Sequence, residues 1–387
     1  MTIDLHTKLL AAAAALAALL LASCAKVETS ATGEPVRVSF SVAGAPEQTR
    51  TAVTGGSLLD EGCTSFYCNA WYNPVVGAAQ RFMDTAEILP DQTPNPTVWA
   101  PERSYFWPTT GTVNFFSYAS ARPLGNALSI TNDGKTFTIT DYTVTSHDNI
   151  MIADAVYNAT YANAGSSTDV TDSGNTNAPL TGVPTIFRHL LAQVQMDLQL
   201  YAASPTNNTT YEVEVTNVTL KNFRDRGSLT ITNTYAGSGF GIQEWSPASD
   251  GTELGWVAAS VSAHDVDLTP DDGRVIILEA GDDEGDHVIF LGGGSVMPQT
   301  LENTLAISIT ITIRTKHGDI TYNEDKGIVL QSDLSPGVGT SWKMNQRIIY
   351  HIKIDPVTTT LSFDPAISPW DPGNPPTSPT DGGTVQL

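Results

Sequence analysis

From residue 36 onward, hydrophobic and polar side chains repeatedly alternate with a period of two, the spacing of a strand with one buried face. Val36, Val38, Phe40 and Val42 fall on one face, and Arg37, Ser39 and Ser41 on the other. Val194, Met196, Leu198 and Leu200 alternate with Gln193, Gln195, Asp197 and Gln199. Ile307, Ile309, Ile311 and Ile313 alternate with Ser308, Thr310, Thr312 and Arg314, and Tyr350, Ile352 and Ile354 with His351 and Lys353. The β-branched residues that dominate these runs favour pleated, half-buried positions. Between the runs lie turn clusters such as Asn132-Asp133-Gly134, Asp271-Asp272-Gly273 and Lys316-His317-Gly318. The pattern predicts an all-β protein built of antiparallel β-sandwiches.

The start of the chain reads differently. Leu9–Ala22 is an unbroken run of Leu and Ala, short of the roughly 20 residues that span a bilayer and suited to the apolar core of a secretory signal. It ends in Leu21-Ala22-Ser23-Cys24, which resembles the lipobox of bacterial lipoproteins. Residues 1–23 are therefore expected to be a lipoprotein signal peptide, Cys24 the diacylated new N-terminus, and 24–35 a lipidated tether. Such a chain is held by its lipid, with the folded body in water. Cys63 and Cys68 remain, and in an oxidising compartment they are candidates for a disulfide, provided that Thr64–Tyr67 makes a turn.

Charge narrows the partners. Lys and Arg number 19 against 41 Asp and Glu, a net charge of −22, which repels phosphate backbones and argues against nucleic acid as a partner. With 41% hydrophobic residues the chain can bury a large core. Tyr161–Gly182 is poor in apolar residues and suggests a boundary, giving an N-terminal sandwich over 36–182 and a C-terminal one over 183–370. The tail, 371–387, is rich in Pro and Gly and ends in a candidate short strand, Thr384–Leu387.

Several segments, in order, resemble the fimbrillin family of Gram-negative anaerobes, the subunits of type V pili. After the lipobox and Val36–Val42 comes a Thr49-Arg50-Thr51 step. Tyr105-Phe106-Trp107-Pro108 precedes Val113–Ala119, similar to an aromatic strand pair of the family. Asp148–Ala153, Phe187–Leu191, Val296–Gln299, Trp342–Tyr350 and Leu361–Trp370 follow. The resemblance implies two transthyretin-like sandwich domains in tandem and a structural role in a surface fimbria that supports adhesion. It further implies an outer-membrane lipoprotein precursor, cut between Arg50 and Thr51 by an Arg-directed protease. The cut removes a first strand carrying Val36, Val38, Phe40 and Val42, and a neighbouring subunit supplies its replacement. The partners expected are other fimbrillin subunits, outer-membrane lipid through Cys24, and surface glycans or proteins.

Catalytic patterns are not found: the sequence has no Gly-x-Ser-x-Gly elbow, His-Glu-x-x-His or phosphate loop. No enzyme activity and no cofactor are expected. Asp282, Asp283, Glu284 and Asp286 form an acidic cluster, and Asp265 and Asp267 a smaller one; such loops could hold Ca²⁺ through oxygen ligands, although solvated turns are often acidic. Trp107, Phe115, Phe116 and Tyr118 are expected to fill the core of the first domain, and His189 to be a hydrogen-bonded structural histidine. The competing reading is a non-polymerising surface lipoprotein that anchors or terminates a pilus, or binds glycans on exposed tryptophans such as Trp245 or Trp256.

Overall fold

In the computed structural model the described residues are 35–42, 58–59, 62–91, 98–131, 134–145, 148–165, 182–200, 209–247, 256–258, 264–267, 276–279, 288–301, 306–317, 320–322, 328–334, 341–355, 360–369 and 384–386. Almost every ordered element among them is a strand, so the protein is all-β. The first eleven strands are β1 (Phe40–Val42), β2 (Phe66–Asn73), β3 (Gln80–Pro90), β4 (Trp99–Pro101), β5 (Thr112–Ser120), β6 (Leu128–Ile130), β7 (Thr136–Thr143), β8 (Ile150–Ala153), β9 (Ala155–Ala159), β10 (Val183–Thr185) and β11 (Phe187–His189). Then come β12 (Ala192–Leu200), β13 (Thr209–Phe223), β14 (Arg226–Thr232), β15 (Gly241–Gln243), β16 (Ser246–Pro247), β17 (Trp256–Ala258), β18 (His264–Asp267), β19 (Ile276–Glu279) and β20 (Val288–Val296). The last are β21 (Gln299–Thr300), β22 (Ala306–His317), β23 (Ile320–Tyr322), β24 (Ile328–Leu334), β25 (Ser341–Trp342), β26 (Gln346–Asp355), β27 (Thr360–Pro369) and β28 (Thr384–Gln386).

The first sheet runs β10-β1-β4-β3-β2-β5-β8-β11, with β9 on β5 and β15 on β9. Its two ends, β10 and β11, are consecutive in the chain and separated by Ile186 alone. The sheet must therefore curl back towards itself, and contacts across its interior show that it does. Phe40 of β1 meets Phe66 of β2 and Phe115 of β5 edge-on, with ring centroids 5.6 and 5.7 Å apart, and Phe66 meets Phe187 of β11 at 5.2 Å. This inner core takes Val38, Phe40, Phe66, Trp99, Trp107, Phe115 and Phe187.

The outer face of the same sheet is also buried. It packs on the sheet β16-β14-β7-β6, with β17 on β14, through Trp71, Phe116, Tyr118, Phe137, Ile139, Leu229, Ile231, Trp245 and Trp256. This explains the adjacent aromatics of β5: Phe115 serves the inner core and Phe116 the outer, because successive strand residues point to opposite faces.

The sheets do not divide at residue 182. Beyond it, β10 pairs with β1, β11 with β8, β14 with β7 and β15 with β9. The C-terminal strands form β20-β12-β26-β27-β28 and β18-β13-β22-β23, with β19 on β13 and β24 on β22. Two pairs are parallel, β1 with β10 and β12 with β26; each joins segments far apart in sequence, as a parallel pair requires. The candidate terminal strand forms as β28, with Leu361 opposite Val385.

Candidate functional site

The inward set of the first strand is placed as its alternation predicts, whereas Ser41, expected on the outer face, is buried as well. Val38 and Phe40 are 1% and 0% exposed, Val36 and Val42 pack against the same core, and Arg37 lies outside. On one side Phe40, Ser41 and Val42 pair with Val183, Pro184 and Thr185 of β10, and the Val183 amide donates to the Ser39 carbonyl at 2.8 Å. On the other side Phe40 faces Trp99 of β4, and Arg37 bridges Phe106. The Val38 amide donates to the Tyr105 carbonyl at 2.9 Å, and the Trp107 amide to the Val36 carbonyl at 3.0 Å. The segment 36–42 is thus a stave in the wall of this curled sheet, called the barrel below although its end strands do not pair, and it is held by backbone hydrogen bonds along both edges. Pro184 cannot donate to a ladder, and β10 is a terminal strand of the sheet path where that is tolerated.

Gly182 completes the slot. Its φ is +136°, and a Cβ there would stand 2.8 Å from the Ser39 carbonyl group and 2.9 Å from the Phe40 nitrogen. Only glycine combines that backbone conformation with so close an approach. Alternation in sequence could not reveal this residue, because its partner lies more than 140 positions earlier.

Ion pairs brace the far side of the barrel. Arg122 donates Nε and Nη2 to the two carboxylate oxygens of Asp148 at 2.6 and 2.8 Å, and Arg188 does the same to Asp154 at 2.8 and 2.9 Å. Burial would raise the Asp148 pKa, but the hydrogen bonds from Arg122 and the Thr145 backbone outweigh it and hold the carboxyl below its ordinary value. His189 is 1% exposed with Nδ1 2.9 Å from Asn149 Oδ1, the structural histidine expected; burial, aided by the charge of Arg347, pushes its pKa down to about 3.

Other expectations are corrected. Cys63 and Cys68 are both buried and stand as thiols rather than as a disulfide. Tyr67 and Cys68 are already extended within β2, so the turn that a bridge requires is absent. Burial raises the Cys68 thiol pKa to about 12. Trp245 and Trp256 are not exposed platforms. They are 6% and 4% exposed, and their indole N–H groups donate to the carbonyls of Ala153 and Leu190, each at 2.8 Å. Trp107, Phe115, Phe116 and Tyr118 are core residues as expected. Cys24, Arg50, Thr51 and the acidic residues 282–286 lie outside the described residues. Among the described residues no cluster of three or more His, Cys, Asp or Glu is gathered as for a metal, and no helix is long and apolar enough to cross a membrane.

The sequence profile described as fimbrillin-like matches residues 74–370. The chain belongs to the fimbrillin-like family. That membership places it among fimbrial proteins of the cell surface, a structural rather than an enzymatic class. Among solved structures it is similar to a fimbrial protein from Bacteroides vulgatus, at 14% identity and a TM-score of 0.52, covering 87% of this chain and 99% of that one. At that identity the likeness concerns the fold. A Bacteroides uniformis protein named for a presumed role in cell adhesion (13% identity, TM-score 0.41) covers 87% and 98%, and a fimbrial assembly protein from Parabacteroides distasonis (8%, TM-score 0.35) covers 87% and 98%. No curated protein sequence matches.

Proposed function

We propose that the chain is a fimbrial subunit made as a precursor acylated at Cys24, in which the segment 36–42 is a removable stave released by cleavage after Arg50. The observation that carries this reading is the double-edged seating of that segment in the first sheet. Removing it uncovers apolar pockets and leaves backbone groups of β10 and of residues 105–107 without partners, each costing about 1–3 kcal/mol where it stays buried. Refilling the places of Val38 and Phe40 alone supplies roughly 3–6 kcal/mol of apolar driving force. A strand from a neighbouring subunit can restore both by β-augmentation. Donor and acceptor surfaces differ, so the contact is heterologous and propagates into a fibre. The donor is the C-terminal edge of the sheet, where β28 pairs with β27 through three residue pairs and is the least tied-down strand of its sheet.

The test is digestion of the purified precursor with an arginine-specific protease. Loss of the N-terminal segment should be followed by laddered polymers, and Arg50→Ala should give neither. A precursor that is cut at Arg50 yet stays monomeric, even at high concentration, contradicts strand exchange.

The competing reading, an uncut lipoprotein that retains glycans, finds its foothold in a polar cleft of about 210 Å³ rather than at the tryptophans. Asn69, Arg81, Asp84 and Thr85 line its polar side and Leu128 and Ile130 its apolar one. Asn69 Oδ1 accepts from Arg81 Nη1 at 2.9 Å and from the Thr85 amide at 3.0 Å, which fixes the amide at the floor of the cleft. Retardation in glycan-containing gels, lost in Asn69→Leu, would favour this function.

A further inference from the structure

At one end of the first sheet, β2 turns into β3 through Asn73–Gln80, and Val75 and Val76 stand 78% and 89% exposed. Three further loops adjoin this tip. A Cβ on Gly111 would lie 2.4 Å from the Asn73 carbonyl oxygen, so the loop 107–112 presses against the hairpin. Thr112 Oγ1 donates to Asn158 Oδ1 at 3.4 Å, Asn158 Nδ2 donates to the Gly239 carbonyl at 2.8 Å, and Tyr157 stacks on Tyr235 at 4.7 Å. Residues 73–80, 107–114, 155–165 and 231–243 contain no Asp, Glu, Lys or Arg, in a chain with 41 acidic and 19 basic side chains. Two basic residues border these segments: Arg81 follows Gln80 and lies over the Trp71 ring at 4.2 Å, and the Lys135 carbonyl accepts from the Asn233 amide at 2.8 Å.

The chain enters the barrel at this same end. The Val36 carbonyl accepts from the Trp107 amide beside the loop 107–112, and the segment leaves through Val42 at the opposite end, eight residues before Arg50. Cys24 precedes Pro35 by eleven residues, so a lipid on it is confined to within roughly 40 Å of the neutral end at 3.3–3.6 Å per residue. A body of net charge −22 tethered that closely to a lipid surface can approach it at least cost with the end whose loops carry no charge and whose bordering charges, Arg81 and Lys135, are basic. The half-buried rings of Tyr161 and Tyr235 in these segments suit the boundary between headgroups and hydrocarbon.

We infer that the uncharged end of the first sheet, led by Val75 and Val76, is a lipid-facing surface that seats the tethered chain on the bilayer. This rests on the reading of Cys24 as the lipid anchor. It turns the exit of the stave at Val42 away from the membrane.

The test uses the mature chain on vesicles of phosphatidylcholine with a minor fraction of phosphatidylglycerol and nitroxide-labelled lipid. An environment-sensitive dye is placed at Val76→Cys or, as the control, at Ala121→Cys, which is exposed beyond the other end of β5. The seat predicts several-fold stronger quenching at 76 than at 121, and loss of that contrast when Val75→Asp accompanies the label. A second arm replaces the acyl group with an N-terminal histidine tag on nickel-chelating lipid, so the seat is read whether or not Cys24 is acylated; mass analysis of the membrane-bound chain tests the acylation itself. Equal quenching at the two positions in both arms overturns the seat. So does a shift of the dye at 76 in concentrated protein without vesicles, which would assign this end to a second copy.

Discussion

A methyl group on Gly182 would stand 2.9 Å from the backbone nitrogen of Phe40, so the loop before β10 closes directly on the first strand. Gly182→Ala must either push that strand outward or strain a backbone held at φ +136°. Strain of this kind costs about 1–3 kcal/mol. The variant should therefore melt several degrees lower, and limited proteolysis should release the segment 36–42 faster than from the native chain.

Phe40 is the aromatic residue of the stave and meets Phe66 and Phe115 edge-on within the core. Phe40→Ala should cost about 3–5 kcal/mol in denaturant unfolding, the usual range for an emptied aromatic site. Arg37→Ser, on the outer face of the same segment, should stay within about 0.5 kcal/mol. Equal effects of the two would mean that the alternation does not set which face is buried.

Much of this was legible in the sequence, for a physical reason. A half-buried strand records its burial in every second residue, so the inward set Val36, Val38, Phe40 and Val42 could be read directly, as could Tyr350, Ile352 and Ile354, of which all three are buried. What flanks a strand is not recorded that way. The pairing of Phe40 with Val183 depends on chain closure through more than 140 residues, and the strands β10, β11, β14 and β15 cross the boundary that the polar segment 161–182 suggested. Ser308 and Thr312 look solvated by alternation yet are buried, and with the neighbouring Ile309 buried too, both faces of β22 are covered there. An isolated tryptophan such as Trp245 carries no periodicity to say which side it faces; its partner is the carbonyl of Ala153, 92 residues away.

The two buried thiols give a direct chemical count. The thiol at Cys68, pushed up to about 12 by burial, is not a nucleophile near neutral pH. The native mature chain should react negligibly with a thiol reagent at pH 8 and show both Cys63 and Cys68 once unfolded without reductant. No reactive thiol on unfolding would mean that the pair is oxidised.

Protonation of His189 should loosen the fold from the acid side. Its folded pKa of about 3 lies below the ordinary value of 6.5, so the unfolded chain takes up the proton first. The associated stability is complete above about pH 6.5 and is lost as pH falls towards 3. Between pH 6.5 and about 5, before ordinary carboxylates titrate, the native protein should lose stability on acidification and His189→Gln should show a flatter profile. Identical slopes would contradict a buried, neutral imidazole.

The N-terminal sequence of subunits taken from surface fibres tests the central claim most directly. If the stave is shed on assembly, those subunits begin at Thr51 and lack residues 36–42, while the cell-bound precursor retains them. Fibres whose subunits still carry Val36–Val42 would show that assembly leaves the wall of the barrel intact, and the strand-replacement account would fail.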